Sequence, residues 1–168
     1  MTVANPRKMV ELEVITRVMN PEDQIQQNGV DLTVKAIDVV DTSTPCIITE
    51  SYRRRPNTTP LQLVEVNIEN EIVSVYKLEA GKLYDVLFEQ KVDIPADKSG
   101  LLIQRSSVNR MGCIITSGWW DSGFQNYIWA IIRPAIDIYI GEKTRLAQLV
   151  LFDSDSANMY NGIYKEKN

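Results

Sequence analysis

Hydrophobic side chains recur along this chain with a period of two, and that rhythm limits the fold more than any other feature. Ile136-Asp-Ile138-Tyr-Ile140 alternates apolar and polar positions, Gly141-Glu142-Lys143 reads as a turn, and Leu146 to Phe152 returns as a second, more apolar strand. Leu61 to Ile68, Leu83 to Phe88 and Tyr127 to Ile132 carry the same pattern. Successive side chains of an extended strand leave on opposite faces, so each such segment can bury one face and wet the other. Asp93-Ile94-Pro95, followed by Ala96 to Gly100, marks the exit from one strand and a loop into the next. Short strands at regular spacing with turn signals predict an all-β barrel or sandwich. Helix is expected in only two short pieces. One is a turn over 106–111, opened by Ser106 and Ser107 as N-caps and ended by Gly112 at C′; the other runs from Pro21 to Gln26, with Asn20 as N-cap.

With 168 residues, 44% of them hydrophobic, the chain can bury a real core, and residues 1–168 read as one domain. A net charge of −4 argues against a general nucleic-acid binder, which needs a basic face. Arg53, Arg54 and Arg55 form the one basic run and, beside Pro56 and Asn57, read as a solvated loop within a variable excursion from Asp41 to Pro60. Cys46 and Cys113 lie far apart, and no stretch resembles a secretory leader or a membrane span, so a cytoplasmic setting without disulfides is expected. Histidine is absent. That excludes histidine acid–base catalysis, Ser-His-Asp triads and zinc sites built on histidine. The tail from Ser154 onward is polar and by composition alone would fray.

Four segments place polar groups where a packed barrel would not need them. Asn28-Gly29-Val30-Asp31-Leu32 sets an acid directly after a turn, at the start of an apolar strand. Arg105-Ser106-Ser107 offers a guanidinium fork and helix-start N–H groups to an anion, with Arg110 flanking. Gly118-Trp119-Trp120-Asp121-Ser122-Gly123-Phe124 holds a carboxylate in a glycine-hinged aromatic loop, and Arg145-Leu-Ala-Gln148 buries an amide in an apolar strand. Taken singly, each has a plainer role: Asp31 as a cap, Gln148 as a satisfied strand amide, the tryptophans as core, the arginines as solvated. Together they supply an acid for a hydrated cation, a phosphate clamp, a second acid to orient water and an amide to complete the network. Hydrolysis of a nucleotide phosphate by positioning and electrostatics needs those parts.

In this order the motifs Asn-Gly-Val-Asp-Leu, Arg-Ser-Ser-x-x-Arg-Met-Gly, Trp-Asp-Ser-Gly-Phe and Arg-Leu-Ala-Gln-Leu-Val resemble the dUTPase and dCTP deaminase superfamily, most of all the archaeal-type dUTPases. The resemblance runs from about Gln24 to Tyr164. It implies a distorted β-barrel with one short helix, a homotrimer with active sites between subunits, and Mg²⁺ on the substrate's triphosphate. It further implies that Asp31 holds metal-bound water and that Arg105, Ser106, Ser107 and Gln148 bind phosphates. Asp121 would contact the sugar and activate the attacking water. Phe124, Trp120 and Asn126 would hold sugar and base. Arg110, Arg145, Tyr160, Tyr164 and Lys165 are further candidates, the last three on a C-terminal arm (154–168) that closes over the site. The chain departs from the resemblance where Asn126 replaces a frequent glycine and where the arm lacks a glycine-rich, arginine-bearing end.

The same resemblance separates two reactions. In the deaminases a glutamate ten residues after the third acid is the general base; here that position is Ile131, which can neither take up nor deliver a proton. Losing such a shuttle commonly costs a factor of ~10²–10⁴. The expected activity is therefore dUTP hydrolysis to dUMP and pyrophosphate, with dCTP deamination, alone or combined with it, as the alternative.

Overall fold

The computed structural model describes residues 2–165. Helix α1 (Pro6–Glu11) and β1 (Ile15–Thr16) precede α2 (Pro21–Gln24) and the long β2 (Val30–Val40). Next come β3 (Ile47–Ile48), β4 (Arg53–Arg54), β5 (Thr58–Pro60), β6 (Leu63–Ile68) and β7 (Glu71–Leu78). The chain continues through β8 (Tyr84–Asp93), β9 (Lys98–Gln104), α3 (Ser106–Arg110), β10 (Cys113–Thr116) and β11 (Trp119–Trp120). It ends in β12 (Gln125–Pro134), β13 (Ile138–Gly141) and β14 (Arg145–Asp153).

The principal sheet is antiparallel throughout, in the order β10-β12-β8-β2-β14-β9-β11, with β1 joined to β8 and β5 to β2. Its two ends approach each other. Trp119 and Trp120 pair with Leu101 and Gly100, and a few residues back the Ile115 N–H donates to the Gln104 Oε1 at 2.7 Å. The β10–β11 segment thus follows β9, curling the sheet into the expected distorted barrel. Strand β8 shows why the alternation works: Tyr84, Val86, Phe88, Gln90 and Val92 are buried, while the residues between them are partly exposed. Full burial of a side chain such as Phe88 or Leu32 contributes roughly 1.5–3 kcal/mol.

Three local expectations are corrected. The turn at 141–144 forms, with Thr144 N–H donating to Gly141 O, yet its flanking strands do not pair. β13 joins β7 in a three-stranded outlying sheet with β6, while β14 lies between β2 and β9. Leu149, Val150 and Leu151 are all buried, so β14 is hydrophobic on both faces and takes a central place that β13 cannot. Among the described residues there are three short helices, where the sequence pattern predicts two and the resemblance implies one. α1 opens with the same Asn-Pro signal as α2: Asn5 accepts from Lys8 N–H at 3.2 Å and Pro6 begins the helix. The expected serine and asparagine caps are absent. Arg105, not a serine, occupies the α3 N-cap, and the Asn20 side chain turns to Asp23 instead of capping. Gly112 does end α3, at φ +77°, where a side chain would be strained.

One inward-facing position of β8 is polar. The Gln90 Oε1 accepts from Thr33 N–H at 2.8 Å, and its Nε2 donates to Arg17 O at 3.1 Å and to Thr33 Oγ1 at 3.0 Å. This amide ties the approach to α2 and the β2 strand to the barrel wall. Gln90→Met keeps the shape but orphans buried partners, and is expected to cost about 1–3 kcal/mol in urea unfolding. A shift in midpoint too small to resolve would contradict that role.

Candidate active site

The polar segments gather into two groups. The first is built round Asp31, which is 1% exposed and whose carboxylate is nevertheless crowded with donors. Gln148 Nε2 donates to Oδ1 at 3.1 Å, and Arg105 Nε and Arg145 Nη1 lie 3.1 and 3.5 Å from Oδ2. Arg105 also donates to Arg145 O at 3.3 Å, and Gln24 Nε2 to the Asp31 carbonyl at 2.9 Å. Register explains the meeting: Gln148 on β14 sits directly opposite Asp31 on β2. Gly29 makes the approach possible, because a Cβ there would stand 2.5 Å from Leu149 O and 2.7 Å from Gln148 Cγ.

Ser106 and Ser107 follow Arg105 in the first turn of α3 and are exposed. First-turn N–H groups of a helix have no partner inside it, and here no side chain caps them, so they face an arriving anion. Arg105, whose fork the sequence assigned wholly to phosphate, has its Nε committed to Asp31. Arg145 belongs to the group; Arg110 is exposed in the last turn of α3 and makes no contact that draws it in.

The second group surrounds a cavity of about 800 Å³. Asp121 lies exposed at its edge, in a turn closed by Phe124 N–H donating to Asp121 O at 3.1 Å. Trp120, Phe124 and Tyr160 form a chain of edge-on rings with centroids 4.8 and 5.5 Å apart. The arm is seated, not frayed. Tyr160 N–H donates to Ser122 O at 2.6 Å, and the Ser122 and Ser156 hydroxyls lie 2.5 Å apart. Asn126 Nδ2 donates to Tyr164 O at 2.9 Å, so this amide is spent holding the arm. Lys165 follows Tyr164, and residues 166–168 of the expected arm lie outside the described residues.

Three lining residues carried no sequence signal: Asp38, Asp85 and Trp129. Arg53, Arg54 and Arg55 are all exposed, as a solvated run would be, yet the Arg55 guanidinium lies 4.2 Å from the Tyr164 ring centroid and both Arg53 and Arg55 line the cavity. Position in the fold, not local pattern, brings them there: β5 pairs with β2 and draws the preceding loop across the barrel mouth.

Gly100 pairs with Trp120, and Arg105 follows five residues along β9, so the two groups lie on the order of 16 Å apart at about 3.3 Å per residue. Among the described residues no group of three or more acidic or thiol side chains could hold a metal ion. Asp31 has both oxygens taken by cationic or amide donors, so its surroundings do not fit a protein-held Mg²⁺. Among those residues, no helix is long and apolar enough to cross a membrane.

Burial is the largest influence on Asp31 and pushes its carboxyl above the ordinary range, against the Gln148 hydrogen bond and the charges of Arg105 and Arg145. A folded value above the unfolded one means that ionised Asp31 opposes folding at neutral pH, and that the penalty fades as pH falls through the folded value. Removing a cation by Arg105→Met raises the carboxyl further. The variant is therefore expected to lose more stability at about pH 8 than at about pH 4.5 in urea unfolding. Equal losses at both would show that Arg105 does not hold the charge on Asp31.

A family model described as dCTP deaminase-like matches residues 5–154. The probable deoxyuridine 5'-triphosphate nucleotidohydrolase of Halobacterium salinarum is 30% identical over 146 residues, spanning 87% of this chain and 86% of the relative. The deoxyuridine 5'-triphosphate nucleotidohydrolase of Methanocaldococcus jannaschii is 32% identical over 148 residues, spanning 86% and 88%. Among solved structures, the 2'-deoxycytidine 5'-triphosphate deaminase from Agrobacterium tumefaciens shares the fold, with a TM-score of 0.65 at 16% identity, over 90% of this chain and 47% of that one. With the barrel, the order of its polar segments and a matched stretch covering most of its length, the chain belongs to the dCTP deaminase-like family.

Proposed function

We infer that the protein is a dUTP diphosphatase, converting dUTP to dUMP and pyrophosphate. The observation that carries this reading is Asp121, an exposed carboxylate at the rim of an aromatic cavity, on a chain that also presents an uncapped, arginine-flanked helix start to anions. The Asp121 carboxylate takes the proton of a water whose oxygen attacks the α-phosphorus. The bond from that phosphorus to the bridging oxygen breaks, and pyrophosphate leaves. Phe124 and Trp120 pack against the deoxyribose, while Ser106, Ser107 and Arg105 bind phosphate oxygens. Asp31 is a positioning residue that fixes Arg105 and Gln148. Mg²⁺ carried by the triphosphate as its counter-ion, and not by a protein ligand, would offset charge on the leaving group.

The distance between the two groups supports a site completed by a second copy, with the phosphate group of one subunit set against the Asp121 cavity of the next. Ile103, Met111 and Ile114 are about half exposed around α3, an apolar surface suited to such contact in a homotrimer. The free cysteines accord with a cytoplasmic setting. Deamination of dCTP is the second reading, and Ile131, half-buried beside Asp85, offers no proton carrier at the position the resemblance assigns to it.

Asp121→Asn is expected to lower pyrophosphate release from dUTP by a factor of ~10²–10⁴ while nucleotide binding persists. Wild-type turnover in that variant would show that another group activates the water. A panel of dUTP, dCTP, dTTP and UTP, followed for pyrophosphate and for loss of the amino group, separates the two reactions.

A further inference from the structure

The cavity's charged lining is not accounted for by water activation or sugar packing. Asp38 on β2 and Asp85 on β8 are direct cross-strand partners, so both side chains leave on the same face of the sheet, into the cavity. Asp38 accepts from Thr58 Oγ1 at 3.0 Å, which ties the excursion to the barrel. Asp85 is partly buried and held above the ordinary carboxylate range, first by burial and then by the charge of Asp38, with Arg55 opposing. Arg55 also lines a second, contiguous cleft of about 570 Å³, together with Asp85, Thr116, Gly118 and Ile131. One guanidinium thus stands at the junction of two clefts, with Tyr164 stacked on it and Asp85 lining both clefts beside it.

Resting on the dUTP reading above, we propose that Arg55 reads the pyrimidine, its guanidinium donating to the carbonyl oxygen at C4 and so favouring uracil over cytosine. With the α-phosphorus at Asp121, the base occupies the part of the same cavity where Asp38, Asp85 and Arg55 stand. Arginine presents donors only. The carbonyl of uracil at C4 satisfies one of them, whereas the amino group of cytosine puts donor against donor and leaves both unpaired. Tyr164 packs on the guanidinium from the arm, and Asp85 lines the same two clefts, so base recognition and arm closure share one residue.

The test measures dUMP and dCMP binding by calorimetry for the wild type, Arg55→Met and Arg55→Lys, alongside kcat/KM for dUTP and dCTP. Wild-type protein is expected to prefer dUMP. Arg55→Met is expected to weaken dUMP by about 10- to 100-fold, the range for one hydrogen bond to a charged group, and to leave dCMP nearly unchanged. Arg55→Lys should restore part of the preference. Equal weakening of both nucleotides would mark Arg55 as a phosphate or packing residue and overturn the proposal, as would no change in either. Binding is read without turnover, so a protein that prefers dUMP but releases no pyrophosphate would sink the hydrolase reading and leave this one standing.

Discussion

The buried carboxylate of Asp31 is the constraint on which the arrangement of polar groups depends. A carboxylate with 1% exposure is costly unless donors surround it, and three side chains, Arg105 at the α3 N-cap and Arg145 and Gln148 on β14, converge to satisfy it. Satisfying it fixes the end of β9, hence the start of α3, hence the direction in which Ser106 and Ser107 present their N–H groups. The register of β2 against β14 puts Gln148 across from Asp31, and a slip of one residue would send the amide to the opposite face. The ion pairs of Asp31 only partly offset the burial that holds its carboxyl above the ordinary range.

The barrel that holds this group also keeps it from Asp121. The two are mounted at different heights along β9, and no bend within that short strand brings them together. In the proposed hydrolysis, the phosphate clamp and the water-activating acid would have to act on one bound nucleotide. The proposed homotrimer, with a site shared between copies, would reconcile the two requirements. The seated arm supports the same proposal, since Tyr160 and Tyr164 line the Asp121 cavity of their own chain and not the Arg105 turn.

Much of the barrel was legible because its strands obey a period of two: the β8 alternation and the apolar run of β14 stand in the sequence as they stand in the fold. Partnership between strands was not legible. The 141–144 turn looks like a hairpin and is not one, because the twofold burial of Leu149 to Leu151 is decided by neighbours distant in sequence. Helix α1 was missed although Asn5-Pro6 gives the same signal that located α2. Asp31, Arg105, Gln148 and Asp121 could be picked out because each is a polar residue in a segment whose pattern has no use for it. Arg55 and Asp85 could not: one lies in a polar loop and the other on a partly exposed strand position, and only the pairing of β5, β2 and β8 brings them to one cavity.

Mixing two inactive variants tests the shared site most directly. Arg105→Met lacks the clamp but keeps Asp121, and Asp121→Asn lacks the acid but keeps the clamp. Co-refolded in equal amounts as trimers, they are predicted to recover about a quarter of wild-type pyrophosphate release from dUTP, since one site in each mixed trimer pairs two intact partners. A mixture as inactive as its components would place both groups in a site within one chain, and would contradict the account.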